Sequence, residues 1–138
     1  MYHAIQIRKL RIAAAHYDLD ASDNFWNADN VKLTHVCNGC GPDCMSRSGR
    51  AHLTALLKRY APVYAIHDVD YEEQKITRKD ADRRMRKNMI KIWRKDFGFW
   101  RWFSFAGIFN RVIIIPSSYS AVRQFGEHAW RLTKRRFG

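Results

Sequence analysis

The chain has 138 residues, of which 46% are hydrophobic and 14% aromatic, so it is long enough for one compact domain and too apolar to be a disordered segment. Its formal net charge of +12 comes from residues 83–138, which hold 14 Lys or Arg against 2 Asp or Glu, whereas residues 1–82 hold 11 of each. No stretch reaches the ~18 to 20 consecutive apolar residues of a membrane-spanning helix, and the N-terminal apolar block is interrupted by charge and too short for a signal peptide.

Residues 1–34 show no long periodic pattern. The segment "AIQIRKLRIA" alternates weakly, like a strand or a short helix, and "DLDASDNFWNADN" is rich in turn residues. We predict an N-terminal arm with loops here. The three cysteines all lie between Cys37 and Cys44, so they cannot link distant parts of the fold as in secreted disulfide-rich domains, and a reducing cytosol or a virus-like assembly is favoured.

The next segment, "CNGCGPD", begins at Cys37 and places Gly39, Gly41 and a proline in one tight loop. A first helix is predicted over "GRAHLTALLKRY", residues 49–60, where apolar side chains recur at helical spacing. Pro62 is acceptable in the first turn of a helix, so it opens a second helical segment that runs through Gln74.

A third helix is predicted at about residues 78–96, because Thr77 followed by Asp80 forms a capping signal. One face of this helix carries Asp82 among apolar residues, the others being Met85, Met89, Ile92 and Trp93. If that face packs inward, the carboxylate is buried and needs a partner. The short connection predicts antiparallel neighbours, which places Asp82 within about one helical turn of His67.

The C-terminal region, residues 97–138, is basic and aromatic. Its first part, "DFGFWRWFSFAGIFN", has no clear conformation, and we expect Gly98 and Gly107 to break any long helix. A last helix is predicted from Pro116 onward. Its apolar stripe consists of Tyr119, Val122, Phe125, Ala129 and Leu132.

The stretch "AIHDVDYEEQ" suggests hydrolytic chemistry. His67 and Asp68 are adjacent on a helix, so they point about 100° apart and can line two sides of one cleft. An imidazole with one nitrogen bound by Asp82 keeps the other nitrogen for a proton from water. Asp68 suits a hard cation, with backbone carbonyls of the Gly-rich loop as further ligands.

Three elements in this order, "NGCGP", "HDVDY" and "ADRRMRKNM", resemble the phospholipase A2 superfamily, especially the compact forms of parvovirus capsids and bacteriophages. These enzymes pair a G-x-G calcium loop with HD-x-x-Y and a later Ala-Asp. The resemblance covers residues 37 to about 89, and it implies a calcium-dependent hydrolase that cleaves the sn-2 ester of phospholipids. Ile66 and Asp70 stand where the secreted enzymes have cysteines, so their disulfide framework is absent.

The resemblance assigns roles residue by residue. It implies that His67 is the general base, that Asp82 orients it and that Tyr71 supports Asp82 by hydrogen bonding. The calcium ligands would be the Asp68 carboxylate together with loop carbonyls. Those carbonyls fall on Cys37, Gly39 and Gly41. The expected mechanism is attack of water on the ester, without a covalent acyl-enzyme.

Other interpretations stay open. A helix histidine is commonly an ordinary core or surface residue. The segment "HVCNGCGPDC" offers four zinc ligands within ten residues, which would suit a zinc-binding nucleic-acid module. These ligands are His35, Cys37, Cys40 and Cys44.

The basic C-terminal region also allows several functions. It could be a solvated face around an aromatic core, or a membrane-interface surface with Trp93, Trp100, Trp102 and Phe103 at headgroup level. It could equally stack on single-stranded nucleic acid, or dock on subunits of a virus or phage particle as a non-enzymatic component.

We therefore predict a mainly α, small single domain, residues 1–138, with a Gly-rich calcium loop and an antiparallel catalytic helix pair. It would comprise the N-terminal arm (1–34), the calcium loop and catalytic helices (35–96), and the basic aromatic region (97–138). The expected location is a virion or phage particle, or the host cytoplasm, with phospholipid membrane as substrate.

Overall fold

The computed structural model describes residues 3–37 and 57–133; within these ranges the chain is mainly helical, as predicted, and contains no strand. Short 3-10 helices at Lys58–Tyr60 and Gly98–Trp102, and a π-helical segment at Asn110–Ile114, connect longer elements. The α-helices are α1 (Ala4–His16), α2 (Asp23–Asn27), α3 (Asn30–Val36), α4 (Ala61–Glu73), α5 (Arg78–Phe97), α6 (Phe105–Phe109) and α7 (Ile115–Leu132).

Helix α4 is the centre of the fold, since every residue in it except Ala61 and Asp68 is buried. It packs against α1, α3, α5 and α7. Pro62 lies in its first turn, as predicted, where the missing N–H costs nothing. The helix ends at Gln74, which adopts a left-handed conformation with φ of 50°. Because this helix is buried on all sides, the hydrogen-bond partners of its polar side chains must come from neighbouring elements.

Helix α5 begins at the predicted capping signal, with Thr77 Oγ1 accepting a hydrogen bond from the Asp80 backbone N–H at 3.2 Å. It ends at Gly98, whose φ of 47° favours glycine. The whole predicted stripe of this helix, from Asp82 to Trp93, is buried. Trp93 donates from Nε1 to the Gly107 carbonyl at 2.7 Å, so its assignment to a membrane-interface surface was wrong.

Within the predicted N-terminal arm, residues 1–34, the segment for which a strand or a short helix was expected is a helix. Ala4–His16 is a helix that buries one narrow stripe, Ile7, Leu10 and Ala14, at spacings of three and four residues. Its other residues are mainly polar or small, so the stripe was too narrow to stand out from a weak alternation. The predicted helix over residues 49–60 lies mostly outside the described residues; its end, Lys58–Tyr60, is a 3-10 turn.

The C-terminal region forms one helical run, Phe105–Leu132, made of α6, the π segment and α7. Gly107 lies inside it and does not break it, contrary to expectation. Pro116 is also inside the run. Proline has no backbone N–H to donate, and the run tolerates this through the altered hydrogen-bond pattern of the π segment directly before it. By length and composition alone this run of 28 residues could cross a membrane, although no such segment was predicted, and most of it is exposed.

The face of α7 that turns inward differs from the predicted apolar stripe. Phe125 and Leu132 are exposed, whereas Arg123, Gly126 and Trp130 are half-buried. The helix is held to α4 by polar contacts, such as that between Tyr64 Oη and Ser118 Oγ at 2.9 Å. Apolar spacing therefore identified the helix, but only the first part of the predicted stripe turns inward, with Tyr119 half-buried and Val122 packed against the core.

Candidate functional site

The centre of the candidate site is the carboxylate of Asp82, which is fully buried and has three hydrogen-bond partners. One oxygen, Oδ1, lies 2.9 Å from His67 Nε2 and accepts from the Tyr71 hydroxyl at 2.7 Å. The other, Oδ2, accepts from Arg123 Nη1 at 2.9 Å. The structure thus contains the pair of His67 with Asp82 that the sequence predicts, and it adds an arginine.

The positions of these side chains follow from helix geometry. His67 and Tyr71 are four residues apart, so they lie on the same face of α4, with ring centroids 4.2 Å apart. Asp82 faces them because it belongs to the buried stripe of α5, the face that packs on α4. The apolar neighbours that drive this face inward therefore carry the carboxylate with them.

The surroundings of Asp82 favour its charged form. Burial alone would raise the pKa of this carboxyl group, but the hydrogen bonds from His67, Tyr71 and Arg123 outweigh it and hold the pKa below its usual value. The pKa of Tyr71 is raised, first by burial and then by its hydrogen bond to Asp82. Tyr71 therefore acts as a neutral donor to an ionised carboxylate.

The orientation of His67 leaves one ring nitrogen for chemistry. An ionised carboxylate only accepts hydrogen bonds, so Nε2 carries the proton that faces Asp82. In the neutral ring, Nδ1 then has the lone pair, and it makes no hydrogen bond to a residue of the described ranges. The residue is only 7% exposed, so its ring is largely shielded from solvent.

Helix α7 is the third helix that contributes to the site, after α4 and α5, and its contribution was not predicted from the sequence. Arg123 reaches Asp82, and the Trp130 ring meets Tyr71 edge-on, with centroids 5.0 Å apart. Gly126 lies between them, and a Cβ atom there would be 2.5 Å from the Tyr71 hydroxyl. The available signal was the spacing of three, four and seven residues, which puts Arg123, Gly126 and Trp130 on one helical face.

Asp68 and Cys37, two of the predicted calcium ligands, lie near each other. Cys37 follows α3 and is buried against α4, with Sγ 3.7 Å from the Ala65 carbonyl. Burial raises the pKa of its thiol, and the nearby charge of Asp68 raises it further. The half-buried Asp68 carboxylate is thus close enough to the start of the predicted loop to influence the Cys37 thiol electrostatically. Gly39 and Gly41 are outside the described residues.

The described residues offer no ready-made set of side-chain metal ligands. Within residues 3–37 and 57–133, no three His, Cys, Asp or Glu side chains are grouped so that they could hold a metal ion. For the predicted zinc set, His35 is exposed and Cys37 is fully buried. Cys40 and Cys44 lie outside the described ranges.

No protein-family model, curated protein or solved structure matches this chain. The resemblance to the phospholipase A2 superfamily therefore rests on the motif residues themselves.

Proposed function

We propose that this protein is a calcium-dependent hydrolase that resembles phospholipase A2 and cleaves the sn-2 ester of phospholipids. The observation that carries the proposal is the buried Asp82 carboxylate, which meets His67 at 2.9 Å and Tyr71 at 2.7 Å. These three residues occupy the positions of the family's general base, orienting aspartate and supporting tyrosine. The contact between α4 and α5 supports an antiparallel catalytic helix pair.

The residues have distinct roles in the proposed reaction. Asp82 fixes the tautomer of His67, so that Nδ1 removes a proton from a water molecule while the water oxygen attacks the sn-2 carbonyl carbon. The bond from this carbon to the glycerol oxygen then breaks. The His67 imidazolium returns its proton to the leaving oxygen, and the products are a fatty acid and a lysophospholipid.

The buried charge of Asp82 stabilises the imidazolium that forms on His67 during the reaction. Tyr71 and Arg123 hold this carboxylate in place and keep it ionised. When bound, calcium would supply positive charge next to the ester oxygen. Asp68 would hold it together with the carbonyl groups of Cys37, Gly39 and Gly41.

The zinc interpretation has less support. A structural zinc site needs its ligands grouped around one ion, whereas Cys37 is fully buried with its Sγ 3.7 Å from the Ala65 carbonyl and His35 is exposed. Elemental analysis of the purified protein tests it directly. Stoichiometric zinc with cysteines protected from alkylation would replace the calcium proposal.

The decisive experiment measures fatty-acid release from mixed micelles with calcium and with a chelator. We expect calcium-dependent release by the wild type, and loss of at least about a hundredfold in His67→Ala. His128→Ala is the matched control, because His128 is an exposed histidine on α7. No release at any calcium concentration, or equal release by His67→Ala, would refute the proposal. DNA binding with a steep salt dependence would then favour a non-enzymatic particle component.

A further inference from the structure

Six aromatic side chains are exposed between the end of α5 and the first turns of the C-terminal helical run. Their exposed fractions reach 71% for Trp100 and 83% for Phe105. We call this surface the aromatic face; it consists of Phe99, Trp100, Trp102, Phe103, Phe105 and Phe109. Val112 and Ile113, which follow in the π segment, are also exposed. Exposed apolar side chains grouped in this way mark a site of interaction.

The rings of the aromatic face contact one another in groups. Phe99 and Phe103 lie with ring centroids 5.8 Å apart, and Phe105 and Phe109 stack at 6.0 Å. Trp93, which is buried in the core, contacts the exposed Trp102 edge-on, with ring centroids 5.2 Å apart. The rings therefore present a preformed surface, and its partner must be apolar at its centre.

The segment that carries this surface is basic. Residues 97–113 contain Arg101 and Arg111 and no Asp or Glu. The partner must therefore combine apolar groups with negative charge. A bilayer with anionic headgroups does so, because aromatic rings settle at headgroup level while arginine meets the phosphates. Nucleic acid also carries phosphates, but its bases stack on flat rings and not on side chains such as Val112 and Ile113.

The geometry favours a helical run that lies on the bilayer over one that crosses it. Gln74 Nε2 donates to the Trp130 carbonyl at 2.7 Å, and Arg123 holds Asp82, so α7 is fixed to the body of the protein. Beyond Ile113 the exposed positions are mixed, since Ser120 and Gln124 are polar whereas Phe125 and Leu132 are apolar. Exposed apolar side chains are therefore dense only in the first part of the run, which suits shallow insertion.

We propose that the aromatic face is a docking surface for an anionic phospholipid bilayer. The inference deepens the proposed function and rests on it for the substrate, which the same bilayer would supply. Ile113 and Arg123 are ten residues apart, or about 15 Å along a helix. Docking and hydrolysis are therefore separable: changes in the aromatic face alter attachment to lipid and leave the chemistry at His67 intact.

The test measures co-sedimentation with vesicles of ether-linked phosphatidylglycerol or ether-linked phosphatidylcholine, which contain no ester to hydrolyse, in the presence of a chelator. We expect the full chain to bind the anionic vesicles preferentially. Trp100→Ala combined with Phe103→Ala should weaken binding by about tenfold or more. The matched control combines Ile5→Ala with Ile12→Ala, which removes two exposed apolar side chains from α1, and it should bind like the wild type. Circular dichroism verifies that both variants are folded.

Several outcomes would overturn the docking proposal. Equal binding by both double variants, or no binding of wild type to anionic vesicles, contradicts it. A dimer seen by light scattering without lipid, and lost in the Trp100/Phe103 variant, would assign the face to a second copy of the chain if vesicle binding is absent. DNA binding lost in that variant, again without vesicle binding, would assign it to nucleic acid.

A separate assay distinguishes this proposal from the proposed function. Hydrolysis of a short-chain phospholipid below its micelle concentration requires the catalytic residues and no bilayer. The Trp100/Phe103 variant should hydrolyse it like the wild type. Vesicle binding without hydrolysis would contradict the proposed enzymatic function and support the docking surface. Hydrolysis without vesicle binding would support the enzymatic function and contradict the docking surface.

Discussion

Arg123 donates a hydrogen bond from Nη1 to Oδ2 of Asp82 at 2.9 Å, on the carboxylate oxygen opposite the one that faces α4. An arginine is protonated at all ordinary pH values, so it gives the buried carboxylate a permanent positive partner. The charge of Asp82 is therefore balanced even when the imidazole of His67 is neutral, which is the form that can accept a proton. The last helix of the fold thus completes the site formed by the two central helices.

We expect Arg123→Gln to lower fatty-acid release by roughly tenfold, because Asp82 then holds His67 less firmly. Arg123→Lys is the matched variant and should retain more activity, since it keeps the charge but loses the planar donor. The measurement is the initial rate on mixed micelles at saturating calcium. Unchanged rates in both variants would show that Arg123 has no positioning role.

Arg123→Gln should also change how stability depends on pH. Burial raises the pKa of Asp82, but hydrogen bonds from His67, Tyr71 and Arg123 lower it overall. A depressed pKa stabilises the fold above the unfolded value, near pH ~4, and this contribution is lost as the pH falls through the folded value. The difference in melting temperature between wild type and variant should therefore be largest above about pH 4 and shrink below it. A pH-independent difference would contradict this.

Gly126→Ala should destabilise the protein by about 1 to 3 kcal/mol, because the new Cβ would lie 2.5 Å from the Tyr71 hydroxyl. Tyr71→Phe removes that hydroxyl, so in its background the same alanine should be neutral or stabilising, as it is in an unobstructed helix. Chemical denaturation of the two single variants and the double variant measures the coupling. Additive effects would mean that α7 does not approach Tyr71 this closely.

Much of the site could be predicted from the sequence because it depends on helical periodicity. His67, Tyr71 and Asp82 lie on two neighbouring helices joined by a short connection, so spacing alone indicates which side chains meet. The capping of α5 by Thr77 was equally local. Such features involve residues close in sequence, where few alternative arrangements compete.

The contribution of α7 could not be predicted in the same way. Arg123 is 41 residues from Asp82, and the part of its helix beyond Val122 exposes the apolar residues Phe125 and Leu132. A rule that places apolar side chains inside fails where the inner face binds a buried carboxylate. Trp93 illustrates the strength of local spacing: its place in the stripe of α5 predicted burial correctly, whereas grouping it with the exposed Trp100 and Trp102 by composition did not.

Asp70 should make stability fall as the pH rises. Burial is the main reason that its pKa is raised to about 7; Glu73 and Asp20 raise it further, while Arg84, which donates to Oδ1 at 2.7 Å, lowers it. Its Oδ2 is buried without a hydrogen bond to any described residue, which suits the protonated form. A raised pKa contributes stability that is full below about pH 4 and is lost as the pH rises through about 7.

Replacement of Asp70 by Asn should flatten this dependence, because the amide does not titrate. Thermal unfolding between pH 4 and pH 8 measures the slope for wild type and variant. Asp18→Asn is the control, since Asp18 is an exposed aspartate, and it should keep the wild-type slope. An equal slope in Asp70→Asn would assign the pH dependence to other groups.

Asp68→Asn should raise the calcium concentration needed for half-maximal hydrolysis by about tenfold or more, because calcium prefers charged carboxylate ligands and the remaining protein ligands would be carbonyl groups. Calcium should also raise the melting temperature of the wild type, since a ligand that binds only the folded state stabilises it, and this rise should be smaller in the variant. Asp18→Asn removes the same charge from an exposed position and should preserve both responses. If Asp68→Asn keeps the wild-type calcium dependence in both measurements, Asp68 is not a calcium ligand.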